Sequence, residues 1–569
     1  MNHSVTWRRL AAGGLTILTA CSAELDVDNP NAPDAGRAFS DPATIEAVAG
    51  GTLRNWLIAR QDMNSGGLLN AMADGHTASW NNFNLRFYTS EGALGAGECP
   101  VRCGWQNNIT SSFYIQIETF WYAYYSALSS ANDALTAIRL NNVIIGDEAN
   151  TRMVETIAVM MQGIVYGNIA LNYDQGFIVD ETTDLSDPLA LPIATREELR
   201  DAGLAKLEEA HTLAEANSFT TPNTWTGLTA GIAYTNVQIA QLIRTLQAEI
   251  LAHYPRTGAE NSQVNWPQVA SYAAGGISSG SGYDFGFFQD FNVWYDYHKI
   301  WSNSDQFMRV DTRLAARITV GPDPAKVHKD PWPGSPGNPQ PDAFDNRVGN
   351  GTWGPEDDFI GSGTIAEDAG AGTDFVYASS NPYPAARGLY HYSNLGYIRY
   401  SYLTYIGYGL PGEDQTGFAP VYSQAFNDLL WAEGLIRGGG DKALAATLIN
   451  KTRVGRGGLS QLTGAESEAE LLDALFYEQD IELLGAAGTI FYNHRRRDVL
   501  AAMTPRHMPI PAKELGVLAL ELYTFGGPSN PAGLSAPVGS SGRKVKNVRE
   551  IWAEKERATR AQLGKRIRR

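Results

Sequence analysis

Between Phe113 and His253 the chain carries a succession of long stretches with helical periodicity. The clearest is FYIQIETFWYAYYSALSSANDALTAIRL, from Phe113 to Leu140, and it is followed by Thr151–Leu171, Arg196–Ala216 and Leu228–His253, with a shorter Trp266–Gly275 after them. This run constrains the fold more than any other feature. Each stretch has an apolar stripe that must be covered, and Ala, Gly and Ser interrupt the stripes where neighbouring helices pack closely. Successive helices that cover one another in pairs form a tetratricopeptide-like stack. The sequence has no strict repeat of that period, so the stack predicted is irregular. An earlier helix opens at SDPATIEAVAGGTLRNWLIARQ, with Asp41 as its cap and Pro42 at its first position.

Two other stretches read differently. Residues 74–110 are polar, aromatic and rich in glycine, and they read as a long loop. The helical pattern breaks again over residues 283–420. Here GPDPAKVHKDPWPGSPGNPQPD is too dense in proline and glycine for regular structure, and YHYSNLGYIRYSYLTYIGYG suggests short strands. Helices resume with YSQAFNDLLWAEGLIRGGGDKALAATLINKTRVGRGG, a helical hairpin turning at Gly438–Gly440. Leu472, Leu475, Phe476, Gln479 and Leu483 then mark a further helix. The prediction is a mainly α fold: helical repeats over about 41–280, a loop-rich insert over about 281–420 and C-terminal helices over about 421–525, all in one domain spanning 41–541.

The N-terminus reads as processing rather than fold. Arg8 and Arg9 precede a short apolar run, LAAGGLTIL, too short for a membrane-spanning helix. Leu18-Thr19-Ala20-Cys21 follows the lipobox pattern of bacterial lipoproteins, so residues 1–20 read as a signal peptide and Cys21 as the lipidated first residue. The rival reading is an ordinary secretory signal with a chance cysteine. Acyl chains contribute about 0.8 kcal/mol of membrane affinity per buried CH₂, and residues 21–40 would be the tether. Ser22 in place of an aspartate argues against retention in the inner membrane. An exported chain meets oxidising conditions. With Cys21 lipidated, Cys99 and Cys103 in ECPVRC can close a small disulfide loop; a two-ligand metal site is the rival, without a nearby histidine to complete it.

The net charge of −17 is uneven. The tail from Arg543 to Arg569 holds eleven basic residues against three glutamates, and Arg8 and Arg9 add two more positive charges at the other end, which leaves about −27 on the body between them. Such a body repels phosphate backbones and excludes nucleic acid as a main partner. The tail, 542–569, is basic and helix-prone and reads as a disordered extension; the rival reading is a segment that meets anionic lipid or a partner. Nucleophile elbows, phosphate-binding glycine loops and His-Glu metal motifs are absent, so no cofactor, metal or catalytic activity is expected. Glu356/Asp357/Asp358 and Glu367/Asp368 offer the carboxylates of a glycosidase or a calcium site, but in glycine-rich loops they read as solvating charge. The arginines of NHRRRDVL read as pairing with acidic groups or helix ends.

Aromatic rings beside amides and carboxylates suit carbohydrate, whose CH faces stack on flat rings while its hydroxyls seek polar groups. Two stretches have that character. HTASWNNFN offers Trp80, Asn81 and Asn84, and GYDFGFFQDFNVWYDYHKIW offers Tyr283, Trp294, Tyr295 and Tyr297. At this aromatic density some of these rings will belong to the core.

Several segments resemble the SusD/RagB family of nutrient-binding lipoproteins: the start CSAELDVDNPNAPDAGRAFSDPATIEAVAGGTLRNW, then FWYAYYSALSSANDAL, LLWAEGLIRGGGDKALAATLINKTRVGRGGL and PIPAKEL. Their order and spacing extend the likeness to about residue 525. The chain departs from the family pattern at Gln479, Ala486, Ala487 and Thr312. The resemblance implies a SusD-like helical fold, attachment to the outer membrane and a SusC-like TonB-dependent transporter as partner. It also implies capture of oligosaccharides without catalysis. The alternatives are peptides or another polymer on the same scaffold, or an exported glycoside hydrolase.

Overall fold

A computed structural model of the protein describes residues 41–77, 84–89, 102–223, 225, 232–289, 294, 296–302, 308–320, 344–353, 374–378, 393, 395–397, 399 and 417–534. The signal and tether with Cys21, the acidic pairs, the proline-rich segment and the basic tail lie outside the described residues, as do Trp80, Asn81, Cys99 and Tyr295.

The helices of the first half are α1 (Pro42–Gln61), α2 (Leu68–Met72), α3 (Leu85–Thr89), α4 (Ile115–Leu135), α5 (Glu148–Asn172), α6 (Arg196–Ala216), α7 (Asn236–His253), α8 (Gly258–Asn261) and α9 (Trp266–Ala274). Their ends follow from local chemistry. The Asp41 carboxylate accepts from the Thr44 amide ahead of Pro42, and Thr195 and Thr235 form reciprocal capping boxes with Glu198 and Gln238. α7 starts at Asn236, eight residues after the start expected from periodicity, at the capping threonine.

Each long helix packs on the next: α1 on α4, α4 on α5, α5 on α6, α6 on α7 and α7 on α9. The expected irregular stack is present. The tightest seam joins α5 and α6, where Gly163 and Gly167 face Gly203. A Cβ on Gly203 would stand 2.7 Å from the Gly167 amide nitrogen and 3.1 Å from the Gly163 carbonyl oxygen. α5 is long and apolar enough to cross a membrane, yet its apolar window is wholly buried as the centre of the stack.

The second half adds α10 (Tyr297–Ser302), α11 (Thr312–Val320), α12 (Gln424–Arg437), α13 (Lys442–Arg453), α14 (Glu468–Ile481), α15 (Thr489–Arg496) and α16 (Ala512–Val517). The hairpin α12–α13 turns at Gly438–Gly440, with Gly439 at a φ of +69°. α12 packs on α9, so the C-terminal helices continue the stack. α14 ends at Ile481, two residues short of Leu483, and its buried side is broader than the periodic positions, since it includes Leu471, Tyr477, Glu478 and Asp480.

The strands are short: β1 (His76–Thr77), β2 (Gln175–Gly176), β3 (Ala194–Thr195), β4 (Phe285–Gln289), β5 (Arg309–Val310), β6 (Val348–Trp353), β7 (Phe375–Ala378), β8 (Leu395–Tyr397) and β9 (Gly417–Tyr422). β1 pairs antiparallel with β5, β2 with β3 and β4 with β9, and β6-β7-β8 form a mixed sheet. The stretch 74–110, read as loop, holds β1 and α3, and 283–420 holds the helices α10 and α11 where the helical pattern was read as broken; β8 falls in the aromatic stretch expected to supply short strands.

Buried charge ties the loop-rich part to the helices. The fully buried Arg347 donates to Asp345, to Glu478 at 2.8 Å and to Glu482 at 3.1 Å. Arg399 reaches Glu482 at 2.8 Å, and Arg456 bridges Asp374 and Glu482. Removing one member of such a set leaves an uncompensated buried charge, so the set fixes where the insert sits.

Candidate functional site

The residues singled out from the sequence divide on burial. Trp294 is 5% exposed and lies within the core. Tyr283 packs beside Tyr234, with ring centroids 6.2 Å apart, and its hydroxyl donates to the Gln238 carbonyl at 2.8 Å. Asn84, at a φ of +58°, donates to the Ser112 carbonyl at 3.1 Å and to Gln116 Oε1 at 3.3 Å, so its amide holds the chain locally. Tyr297, at the start of α10, is 40% exposed. The neighbouring carboxylates are structural: Asp284 accepts from the Gln424 amide, and buried Asp296 pairs with Lys299 at 2.7 Å. Cys103 is buried and disulfide-bonded. Among the described residues no group of three His, Cys, Asp or Glu side chains is placed to hold a metal.

A cavity of about 250 Å³ opens elsewhere, lined by residues 73–75, by Arg313, Leu314 and Arg317 of α11, by Asp480 of α14, and by Ile490, His494, Arg497 and Val499. Asp480 is fully buried. One Asp480 oxygen accepts from His494 Nε2 and from Arg497, each at 3.1 Å, and the other meets Arg317. Asp74, also in the lining, has a φ of +61°, in the left-handed region that non-glycine residues rarely adopt. Its Oδ1 accepts from both Arg102 and Arg313.

The electrostatics follow from this arrangement. Burial raises the Asp74 carboxyl, but Arg102 and Arg313 outweigh it and hold the group below the ordinary carboxylate range. Burial, then Arg497 and Arg317, drive His494 well below the ordinary imidazole value, so it is neutral. Burial and the adjacent Arg497 bring Arg317 down to about 10, and burial with Arg496 brings Arg497 down to about 9. Both guanidiniums remain charged at neutral pH. Sequence reasoning passed over this cavity. RRRD and VDTRL were visible as charged segments, but Asp74 and Asp480 reach them only through the fold.

No protein-family model and no curated protein matches the sequence. Solved structures do match the fold, and they define its class: stacked helix pairs carrying a loop-rich region with short strands, here along nearly the whole chain. That fold is the SusD-like one. A SusD superfamily protein from Parabacteroides distasonis aligns with a TM-score of 0.55 at 11% identity, covering 87% of this chain and 99% of that one. A SusD-like protein from Bacteroides fragilis gives 0.54 at 12% identity, over 89% and 98% of the two chains. A SusD-like carbohydrate binding protein from the same species gives 0.53 at 14% identity, over 86% and 90%.

Proposed function

We propose that the protein is a lipid-anchored outer-membrane binding protein that captures oligosaccharides for a SusC-like TonB-dependent transporter and performs no catalysis on them. The observation that carries this reading is the near full-length likeness in fold to SusD-like structures, one of them described as carbohydrate binding. The lipobox at Leu18–Cys21 supplies the anchor, and Cys99 pairs with Cys103.

The ligand face consists of the aromatic and amide residues of the two loops. Tyr297 is 40% exposed at the start of α10, and Trp80, Asn81 and Tyr295 lie in the same two sequence stretches. Trp294 belongs to the core, and Tyr283 is partly buried against it. The deciding experiment is a binding screen of neutral oligosaccharides and peptides against the wild type and the Trp80→Ala/Tyr297→Ala double variant. Oligosaccharide binding that weakens about tenfold or more in the variant is expected, from the loss of two stacking rings. Undiminished binding would remove these loops from the site, and peptide binding alone would turn the reading to peptides. Metabolic labelling with a fatty acid checks the anchor, since the Cys21→Ala variant should take up no label.

A further inference from the structure

The cavity between α11, α14 and α15 has hydrogen-bonding capacity that its own residues do not use. Among the described residues, Arg317 spends Nη1 on Asp480, and its Nε and Nη2 have no acceptor. Arg497 spends Nε on the Asn493 carbonyl and Nη2 on Asp480, which leaves Nη1. The two guanidiniums are held in place from outside. Arg497 lies over the Phe476 ring at 4.2 Å, and Arg317 over the Tyr477 ring at 5.8 Å. In the same lining Asp74 Oδ1 takes both of its arginines, and Oδ2 accepts from neither.

The charges and dimensions narrow what fits. The lining brings Arg313, Arg317 and Arg497 together with Asp74 and Asp480, and Arg102 adds a further guanidinium on Asp74. Beside it, burial and Asp74 push the Asp311 carboxyl above the ordinary carboxylate range, while Asp473 acts on Arg317 from α14. The N–H groups left on Arg317 and Arg497 call for an anionic acceptor, and Asp74 and Asp480 disfavour one of high charge. A volume of about 250 Å³ lies below the range of drug-sized pockets and admits a single small molecule, not a polymer. Leu314, Ile490 and Val499 give the same space an apolar wall.

We infer that this cavity binds a small sugar acid, a hydroxylated monocarboxylate of monosaccharide size, with its carboxylate on the unused N–H groups of Arg317 and Arg497 and a hydroxyl donating to Asp74 Oδ2. The site is separate from the aromatic loops and does not depend on them.

The test is titration calorimetry on the full mature chain with D-glucuronate, D-glucose and inorganic phosphate, using the wild type, Arg317→Gln and Arg317→Lys. Thermal melts establish that each variant is folded. D-glucuronate should bind saturably, and D-glucose far more weakly. Arg317→Gln should weaken glucuronate about 10- to 100-fold, the range for losing charged hydrogen bonds. Arg317→Lys keeps the charge but not the two-pronged edge and should fall between; it decides the matter if the glutamine variant fails to fold. A folded wild type that does not bind glucuronate overturns the proposal, as does a folded Arg317 variant that binds undiminished. Phosphate binding as tight as glucuronate would overturn the sugar-acid assignment in favour of a simple oxyanion site. Tyr297→Ala should leave glucuronate binding unchanged, so failure here and failure of the oligosaccharide reading are separate results.

Discussion

Replacing Arg496 with leucine removes one half of a fully buried ion pair. Arg496 donates through both terminal nitrogens to Glu433, at 2.5 Å to each oxygen, and both side chains are fully buried. Glu433 also accepts from Arg437 Nε and from Gln479 Nε2, each at 2.8 Å. Breaking a buried pair from one side costs about 3–5 kcal/mol, because the surviving charge stays desolvated. Arg437 and Gln479 remain, so the lower end, about 3 kcal/mol, is expected at neutral pH. Asn493 and Asn261, which bond Arg496, also lose a donor. The pH dependence sharpens the test. Burial raises the Glu433 carboxyl, but Arg496 and Arg437 hold it well below its ordinary 4.5. In the wild type, that stabilisation is fully present above 4.5 and is lost as pH falls toward the folded-state value. In the variant Glu433 titrates higher, and protonation relieves its burial, so the deficit should narrow as pH falls from neutral toward 5. The measurement is denaturant unfolding at several pH values, with Glu433→Leu/Arg496→Leu alongside; the double variant should cost less than Arg496→Leu alone. A single-variant cost below about 1 kcal/mol, the worth of an exposed pair, or one that does not change with pH, would refute the reasoning.

Two further outcomes concern the helical stack and its buried histidines. Gly203→Ala should destabilise by about 1–3 kcal/mol, the cost of overpacking, because its Cβ would meet the backbone of α5; a melting temperature equal to wild type would mean that the seam can open without cost. Burial pushes His76 down to about 3, so the unfolded chain takes up a proton near 6.5 that the folded chain refuses. Stability is therefore full above 6.5 and falls below it, by at most about 1.4 kcal/mol per pH unit for one histidine. His76→Phe should flatten that fall in unfolding experiments between pH 6.5 and 4; an unchanged slope would show that His76 is not its source.

The parts of the fold legible in the sequence are those whose signals are local. The caps at Asp41 and the turn at Gly438–Gly440 are set by neighbours a few residues away, and Arg196–Ala216 was read to the residue because its cap and its periodicity agree. β1 and β5 were not legible. They are two residues each, paired between His76 and Val310 across more than two hundred positions, and nothing near either strand specifies the partner. α14 shows a third case. Its period was read from apolar residues, but Glu478 and Asp480 are as buried as Leu475, because Arg347 and Arg317 bring the opposite charge to them. A hydrophobic pattern counts such positions as exposed, so it narrows the buried face and misplaces the helix end.

The candidate sites show the same limit at higher resolution. Aromatic density identified a region rich in rings but not which rings are available, since Trp294 and Tyr297 are three residues apart and one is core while the other is exposed. The arginines of RRRD carry the argument further. Successive residues on a helix point about 100° apart, so three adjacent side chains of one chemical type meet three environments. Arg495 is directed inward and donates to the carbonyls of Leu171, His253 and Arg506. Arg496 closes on Glu433. Arg497, just past the helix end, shares Asp480 with Arg317 and keeps one nitrogen for the cavity. Composition assigns all three a single role, pairing with acidic groups or helix ends, and that description fits Arg496. For Arg497 it is incomplete, because a guanidinium has more donors than its carboxylate can accept. The surplus is what distinguishes a binding residue from a structural one, and only the positions of Asp480 and Asn493 around it make the surplus countable.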